Sequence, residues 1–348
     1  MTSEDIDRSM WALELRGVGS LSLVRRPVPA PASGEDLLRI TAVGICGSDL
    51  HWLDEAGIGD ARLTRPLVLG HEFAAVAESG AFKGRRVAVD PAAPCGRCEF
   101  CLRGDPNFCS QLHFAGHDRD DGALREWMAW SSECLYPLPE SIDAADGAML
   151  EPLGVALHSV DLAHLKTGMS VGVFGAGPIG LLIIQLARLS GASWIVATDL
   201  LSHRLDAARA CGANEAVLAH GGDEVEQVRK LTGGRGLDVC FEVAGDNDAV
   251  DTAIACASSG ARVVLVGIPS DDRVSFSASV ARRKGLTVKL VRRMKHTYAR
   301  ATDLVARGLV DVRSLVTHRY PLEQFEEAFA VASRRDGIKV ILEPGSES

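Results

Sequence analysis

Four cysteines fall close together, as Cys95-Gly96-Arg97-Cys98-Glu99-Phe100-Cys101 followed by Cys109. The spacing C-x2-C-x2-C-x7-C lets neighbouring thiolates grip one ion from a turn, and Gly96 and Gly104 allow the backbone to fold around it. Four thiolates close a tetrahedral shell and leave no position for a substrate. The chemistry expected of this lobe, residues 95–109, is therefore a structural zinc. An iron–sulfur cluster uses the same four ligands, but nothing else in the chain points to electron transfer.

A second set of reactive side chains is scattered. Ile45-Cys46-Gly47-Ser48-Asp49-Leu50-His51 carries a thiol, a hydroxyl and an imidazole; Gly70-His71-Glu72 follows the apolar run 66–69; Glu151-Pro152-Leu153 adds a carboxylate. A His beside a Glu is by itself an ordinary surface pair, and Glu151 by itself an ordinary helix-end carboxylate. With Cys46, the pair His71 and Glu72 becomes the donor set of a candidate second metal site.

The third pattern is Val171-Gly172-Val173-Phe174-Gly175-Ala176-Gly177-Pro178-Ile179-Gly180, which fits G-x-G-x-x-G directly after a strand-like run and opens an apolar helix pattern, 181–189. A second strand, 194–198, ends at Asp199. This is the setting the dinucleotide fingerprint requires: Gly175 for the turn, Gly177 for approach of the pyrophosphate, Gly180 for helix–strand packing, with Pro178 and Ile179 between them opening the helix. Asp199 is the expected partner of the ribose 2′-hydroxyl. Its charge and the Leu200 that follows favour NAD over NADP, and Arg204, a helical turn on, is compatible with either adenine stacking or a surface pair.

Together the three patterns suggest alcohol oxidation. Taking a hydride from an alcohol at neutral pH requires its hydroxyl proton to leave, and a zinc with an open position lowers that pKa by several units. Ser48 and His51 are spaced to pass the proton outward, although each alone reads as a turn hydroxyl and a helix-face residue.

The elements that must position these groups are readable in outline. A chain of 348 residues holds about two domains. Residues 11–26, 37–43, 68–77 and 86–90 read as short strands broken by Gly and Pro, a β-rich unit. From 156 to 295, strands and helices alternate, which implies a parallel sheet covered on both faces. The tail has helices over 298–310 and 322–332 and strands over 315–320 and 339–342, and it is expected to return to the first domain. Net charge is −9, which argues against nucleic acid as a partner. The run 171–187 is apolar enough to resemble a membrane span, but its four glycines, Pro178 and Gln185 suit the nucleotide fold better. The acidic start Met1–Asp5 has no signal-peptide character, so a cytoplasmic location is expected, with the nine cysteines reduced. Cys134, Cys211, Cys240 and Cys256 read as buried core thiols.

On Cys46 to His51, Gly70-His71-Glu72, the four-cysteine lobe, Glu151-Pro152-Leu153, Gly175 to Gly180, Thr198-Asp199-Leu200 with Arg204-Leu205, and 315–322, the chain resembles the zinc-containing medium-chain dehydrogenase/reductase superfamily. Within it the resemblance is to the sorbitol (polyol) dehydrogenases. That resemblance implies an α/β protein: a GroES-like β-rich catalytic domain over 1–155, a Rossmann doubly wound domain over 156–295, and a segment 296–348 completing the first, with the active site in the cleft. It implies two zinc ions per chain, one structural on Cys95, Cys98, Cys101 and Cys109, one catalytic on Cys46, His71 and Glu72, with Glu151 binding the zinc's water or the metal. In thiolate-rich alcohol dehydrogenases a second Cys completes that shell; here Glu151 stands in its place. Such enzymes are commonly homotetramers, sometimes homodimers, acting on small alcohols with no membrane or nucleic-acid partner.

The reaction implied is reversible oxidation of a secondary hydroxyl of a polyol, cyclitol or sugar acid. L-threonine-type or vicinal-diol oxidation is the alternative enzyme reading, and a non-catalytic nucleotide-binding scaffold the remote one. Two departures bear on the substrate: Trp52 where polyol dehydrogenases often have Tyr, and Arg292-Arg293-Met294-Lys295-His296 where they often have an Arg-Tyr pair. The first predicts a more apolar pocket, the second either a more oxygenated or acidic substrate or a solvated loop.

Overall fold

The stretch expected as one strand over 68–77 is broken in two. In the computed structural model, which describes residues 9–345, Leu67–Val68 pairs antiparallel with Glu14 and Leu15, whereas Glu72–Ala77 joins a different sheet beside Glu35–Gly44. Gly70 makes the break. Its φ of +93° is a conformation L side chains avoid, and a Cβ there would run into Val43 and Leu124. The kink leaves His71 at the junction and Glu72 at the head of the new strand, so the turn itself positions two candidate ligands.

The chain divides into two units: Met1–Glu151 with Tyr298–Gly308 and Val312–Ser348, and Pro152–Thr297 with Leu309–Asp311. The acidic start Met1–Asp5 lies outside the described residues. The region 11–26 is a hairpin of Ser9–Gly17 and Ser20–Pro27 rather than one strand. The main sheet of the first unit runs Leu135–Pro137, Arg86–Val89, Glu72–Ala77, Glu35–Gly44, Lys339–Glu343, Val316–Pro321, with Trp127–Ser131 also on Glu35–Gly44. Over most of Glu35–Gly44, buried residues alternate with half-buried ones, the period-two signature of a half-covered strand. Leu38, Ile40, Phe73, Val87, Val89 and Leu342 close the core, each contributing roughly 1.5–3 kcal/mol by burial. The last strand, Lys339–Glu343, pairs antiparallel with Val43 and Gly44, and so lies beside the strand that delivers Cys46.

The second unit carries a six-stranded parallel sheet in the order Glu215–Leu218, Trp194–Asp199, Ser170–Phe174, Leu237–Glu242, Ala257–Leu265, Thr287–Leu290. The chain adds strands outward on one side, then returns and adds them on the other. The order reverses beside Ser170–Phe174, and it is there that doubly wound sheets bind ligands. The apolar run 171–187 divides into the strand Ser170–Phe174 and the helix Pro178–Leu189. Among the described residues no helix is long and apolar enough to cross a membrane. Cys134, Cys240 and Cys256 are buried, but Cys211 is only half-buried because it caps the end of helix Ser202–Ala210 rather than facing the core.

Candidate active site

Cys46 is the N-cap of helix Gly47–Glu55, and Asp49 occupies the third helical position of a capping box. Asp49 is 1% exposed, and its carboxylate does more than cap. It accepts N–H donation from Cys46 (2.9 Å) and from Gly70 (3.2 Å), and it lies 3.7 Å from His71 Nδ1. One side chain thus fixes the backbone ahead of both candidate ligands and faces the far nitrogen of the imidazole, an arrangement that sets tautomer and ring orientation in histidine ligands. Burial pushes its pKa up, and the neighbouring His71 opposes this. No local pattern marks Asp49 as part of the site, although its Cys-x-x-Asp spacing is that of a capping box.

Donor atoms of Cys46, His71 and Glu72 all lie within 4.8 Å of one another. His71 and Glu72 are buried, and the Phe114 ring lies 5.5 Å from the imidazole. Burial first, then the Glu72 charge, pushes the Cys46 thiol up to about 12, while Lys339 opposes both. Glu151 is 5% exposed and pushed up to about 8, chiefly by burial, with His71 lowering it and Glu72 and Cys46 raising it further. It does not end a helix as expected; it sits in the first turn of Leu150–Ala163. A sulfur, a nitrogen and a carboxylate oxygen converging in a dry site, with a second carboxylate close enough to feel them, match the three-ligand open set that holds a catalytic zinc.

The relay residues are arranged differently from the simple order Ser48 to His51. Ser48 Oγ lies 3.4 Å from His71 Nε2, and His51 turns its Nδ1 to Glu55, 3.4 Å away. Ser48 and His51 are therefore not hydrogen-bonded to each other. Trp52 is 2% exposed and part of the core, meeting the His117 ring edge-on at 5.6 Å. In the segment 292–296, Met294 is buried, Arg293 and Lys295 are half-buried, and Arg292 and His296 are exposed.

The four cysteines of the lobe also converge. Cys98 Sγ is 3.5 Å from Cys101 Sγ and 3.8 Å from Cys109 Sγ. A tetrahedron with metal–sulfur distances of about 2.3 Å has sulfur–sulfur edges of about 3.8 Å. Backbone N–H groups of Cys95 and Gln111 point at Cys109 Sγ (3.3 and 3.4 Å), and the N–H of Cys101 chiefly draws the Cys98 thiol down to about 6. At Cys98 this favours the thiolate, the form that binds zinc, whereas burial and the neighbouring thiols of Cys98 and Cys109 push Cys101 up to about 12.

In the second unit, a Cβ at Gly180 would collide with the Gly175 carbonyl, which is the close helix–strand approach expected of the third glycine. At Gly177 only Arg204 lies within 4 Å of such a Cβ, leaving room for a phosphate at the N-terminus of Pro178–Leu189. Asp199 ends its strand and accepts N–H donation from Ala176 and Leu201 (2.8 and 2.9 Å). Each carboxylate oxygen keeps a lone pair for a ribose hydroxyl.

Residues 32–140 match the alcohol dehydrogenase GroES-like domain and 178–307 the zinc-binding dehydrogenase domain. A sorbitol dehydrogenase of Bacillus subtilis (strain 168) is 33% identical over 347 residues, covering 97% of this chain and 98% of the relative. The chain belongs to the zinc-containing medium-chain dehydrogenase/reductase superfamily. A sorbitol dehydrogenase of Bos taurus is 35% identical over 339 residues, 95% of each chain. Among solved structures, L-idonate 5-dehydrogenase of Escherichia coli has a TM-score of 0.88 at 27% identity, over 97% of this chain and 98% of that one. Like others of this superfamily, the chain is an oxidoreductase acting on CH–OH groups, and it resembles the polyol dehydrogenases.

Proposed function

We propose that the protein is a zinc-dependent, NAD-linked dehydrogenase that reversibly oxidises a secondary hydroxyl of a polyol, cyclitol or sugar acid to a ketone. The observation that carries this is the convergence of half-buried Cys46 with buried His71 and Glu72, and Glu151 alongside: one thiol, one imidazole and two carboxyl groups. When bound, zinc supplies the Lewis acid that makes an alcohol acidic and the nicotinamide supplies the hydride acceptor. The chain's own residues do the rest. Asp49 orients His71 and anchors the backbone at Cys46 and Gly70. Ser48, whose Oγ faces His71, is the first acceptor of the hydroxyl proton. His51, a quarter exposed and not bonded directly to Ser48, releases it to solvent after transfer through a bridging hydroxyl or water. Cys46, His71 and Glu72 would hold the ion, and Glu151 would serve as a further carboxylate for its water or for the metal itself.

Asp199 supports NAD over NADP, since its carboxylate would face a 2′-phosphate with like charge. Four zinc-spaced cysteines support a second, structural ion. The sorbitol and L-idonate dehydrogenase relatives support a polyol or sugar-acid substrate. By the same resemblance the working form is a homotetramer or homodimer, in the cytoplasm, with neither nucleic acid nor membrane as partner.

The test is reduction of NAD and of NADP across hexitols, pentitols, inositols, aldonic acids, L-threonine and simple diols. A polyol, cyclitol or sugar acid should give the highest kcat/KM, with NAD. Preference for L-threonine, or for NADP, would overturn the corresponding part of the reading.

A further inference from the structure

Trp52 does not itself supply the apolar wall that its place in the sequence predicts. Its indole is buried and backs a second imidazole, His117, edge-on at 5.6 Å. His117 and Phe114 are half-buried and meet edge-on at 6.3 Å, and Phe114 in turn lies 5.5 Å from the His71 ring. On the other side, Ser48 Oγ lies 3.4 Å from His71 Nε2. Ser48 and Trp52 are four residues apart on helix Gly47–Glu55, so they share one face, a turn apart. The five side chains form a closed circuit, with His71 and the relay serine at one end and Trp52 and His117 at the other.

The loop that carries His117 is firmly held. Phe114 N–H donates to the Asp120 carboxylate (3.0 Å), and Gly116 and His117 N–H donate to the Asp120 carbonyl (3.0 and 3.2 Å). Asp121 accepts Val68 N–H (3.1 Å) and the guanidinium donors of Arg26 (2.6 Å) and Arg65 (3.1 Å). Gly116 and Gly122 press on Gly70, and a Cβ on either would lie 3.0 or 2.3 Å from that backbone. The kink that places His71 therefore also anchors the loop of His117. A recognition group on such a support loses little freedom when a ligand arrives.

We propose that His117 is a specificity-determining residue: its imidazole takes a hydroxyl group of the substrate a few carbons from the reacting one. The inference rests on the dehydrogenase reading above and deepens it, since it selects a neutral polyol or cyclitol over a sugar acid. A neutral imidazole donates at one nitrogen and accepts at the other, as a hydroxyl does both, whereas a carboxylate only accepts. The guanidiniums that anchor the loop, Arg26 and Arg65, are taken up by Asp121. A site that pairs with a remote hydroxyl discriminates against substrates lacking it.

The experiment is His117→Phe and His117→Gln in the full-length enzyme, with kcat and KM measured for hexitols, pentitols, inositols, aldonic acids and a simple vicinal diol, which has no remote hydroxyl. His117→Phe keeps a ring against Trp52 and Phe114 but has no nitrogen. It should raise KM for the preferred polyol or cyclitol at least about 10-fold, with kcat within about 3-fold of wild type. Its loss of kcat/KM should be at least about 5-fold greater for that compound than for the simple diol. His117→Gln loses the ring but keeps a donor and an acceptor, and should return KM to within about 3-fold of wild type. A packing role predicts the opposite order, Phe tolerated and Gln damaging, and that order would overturn the proposal. So would an unchanged KM in His117→Phe, a loss shared equally by the simple diol, or a wild type that prefers an aldonic acid to every neutral polyol. If His117→Phe does not fold, His117→Gln still decides: KM within about 3-fold supports the proposal and a larger rise overturns it. A wild type inert toward the whole panel brings down the dehydrogenase reading itself; an active wild type with KM unmoved in His117→Phe removes only the role of His117.

Discussion

The two candidate metal sites of the first unit differ in how they are made. Cys95, Cys98, Cys101 and Cys109 come from one short segment that includes the helical turn Glu99–Leu102, and three of them are half-exposed. Cys46, His71 and Glu72 come from a helix cap, a glycine kink and a strand head, and the last two are buried. The first is a chelate whose ligands are neighbours before the chain folds, with local N–H donors facing Cys98 and Cys109. The second exists only after three sheet strands have found their register, and its charges are set by burial and by each other. A local chelate adds stability wherever it forms, whereas a dispersed one uses stability already achieved to hold reactive groups out of water.

That contrast can be broken most severely at Cys46. Cys46→Ser should abolish turnover and lower the zinc content from about two ions per chain to about one, while NAD binding survives. Calorimetric NAD binding and metal analysis check this; persisting activity would merge the two sites into one class. Next comes Cys98→Ser. It should lose the other ion and destabilise the protein by several kcal/mol, seen as a lower Tm, while the catalytic zinc and residual activity remain at low temperature. Loss of both ions together would show that the lobe is not energetically local.

A smaller effect sharpens the burial side of the comparison. In metal-stripped protein, Glu151 has a folded pKa of about 8, raised chiefly by burial. Its contribution to stability is fully present below the ordinary carboxylate range and is lost as pH rises through about 8. Between pH 5 and 8, Glu151→Gln should therefore lose less stability than wild type, as measured by urea midpoints on both metal-free proteins. Parallel curves would mean that Glu151 is better hydrated than its surroundings imply.

Some of this was legible from residue types alone. The four-cysteine spacing and the glycine fingerprint are local: a few residues fix the geometry, so the pattern carries the chemistry with it. The outlines of the parallel sheet followed from alternation for the same reason. Cys46, His71 and Glu72 could be named as donors, and resemblance to polyol dehydrogenases joined them. Their actual meeting depends on the kink at Gly70, which divides what periodicity reads as one strand, 68–77.

Three features were decided only by tertiary structure. Asp49 looks like a helix cap, yet it also binds Gly70 N–H, 21 residues away. Ser48 faces His71 rather than the nearby His51, because the helix turns His51 toward Glu55. Lys339 meets Glu72 across 267 residues of sequence. No local pattern encodes that pairing; it follows from the last strand adding beside Glu35–Gly44. The sequence by itself determined which atoms can bind metal and nucleotide, since that depends on side-chain chemistry and short spacings. Tertiary structure alone decided the charge that surrounds them, since burial and long-range strand register set which groups lose water and which find partners.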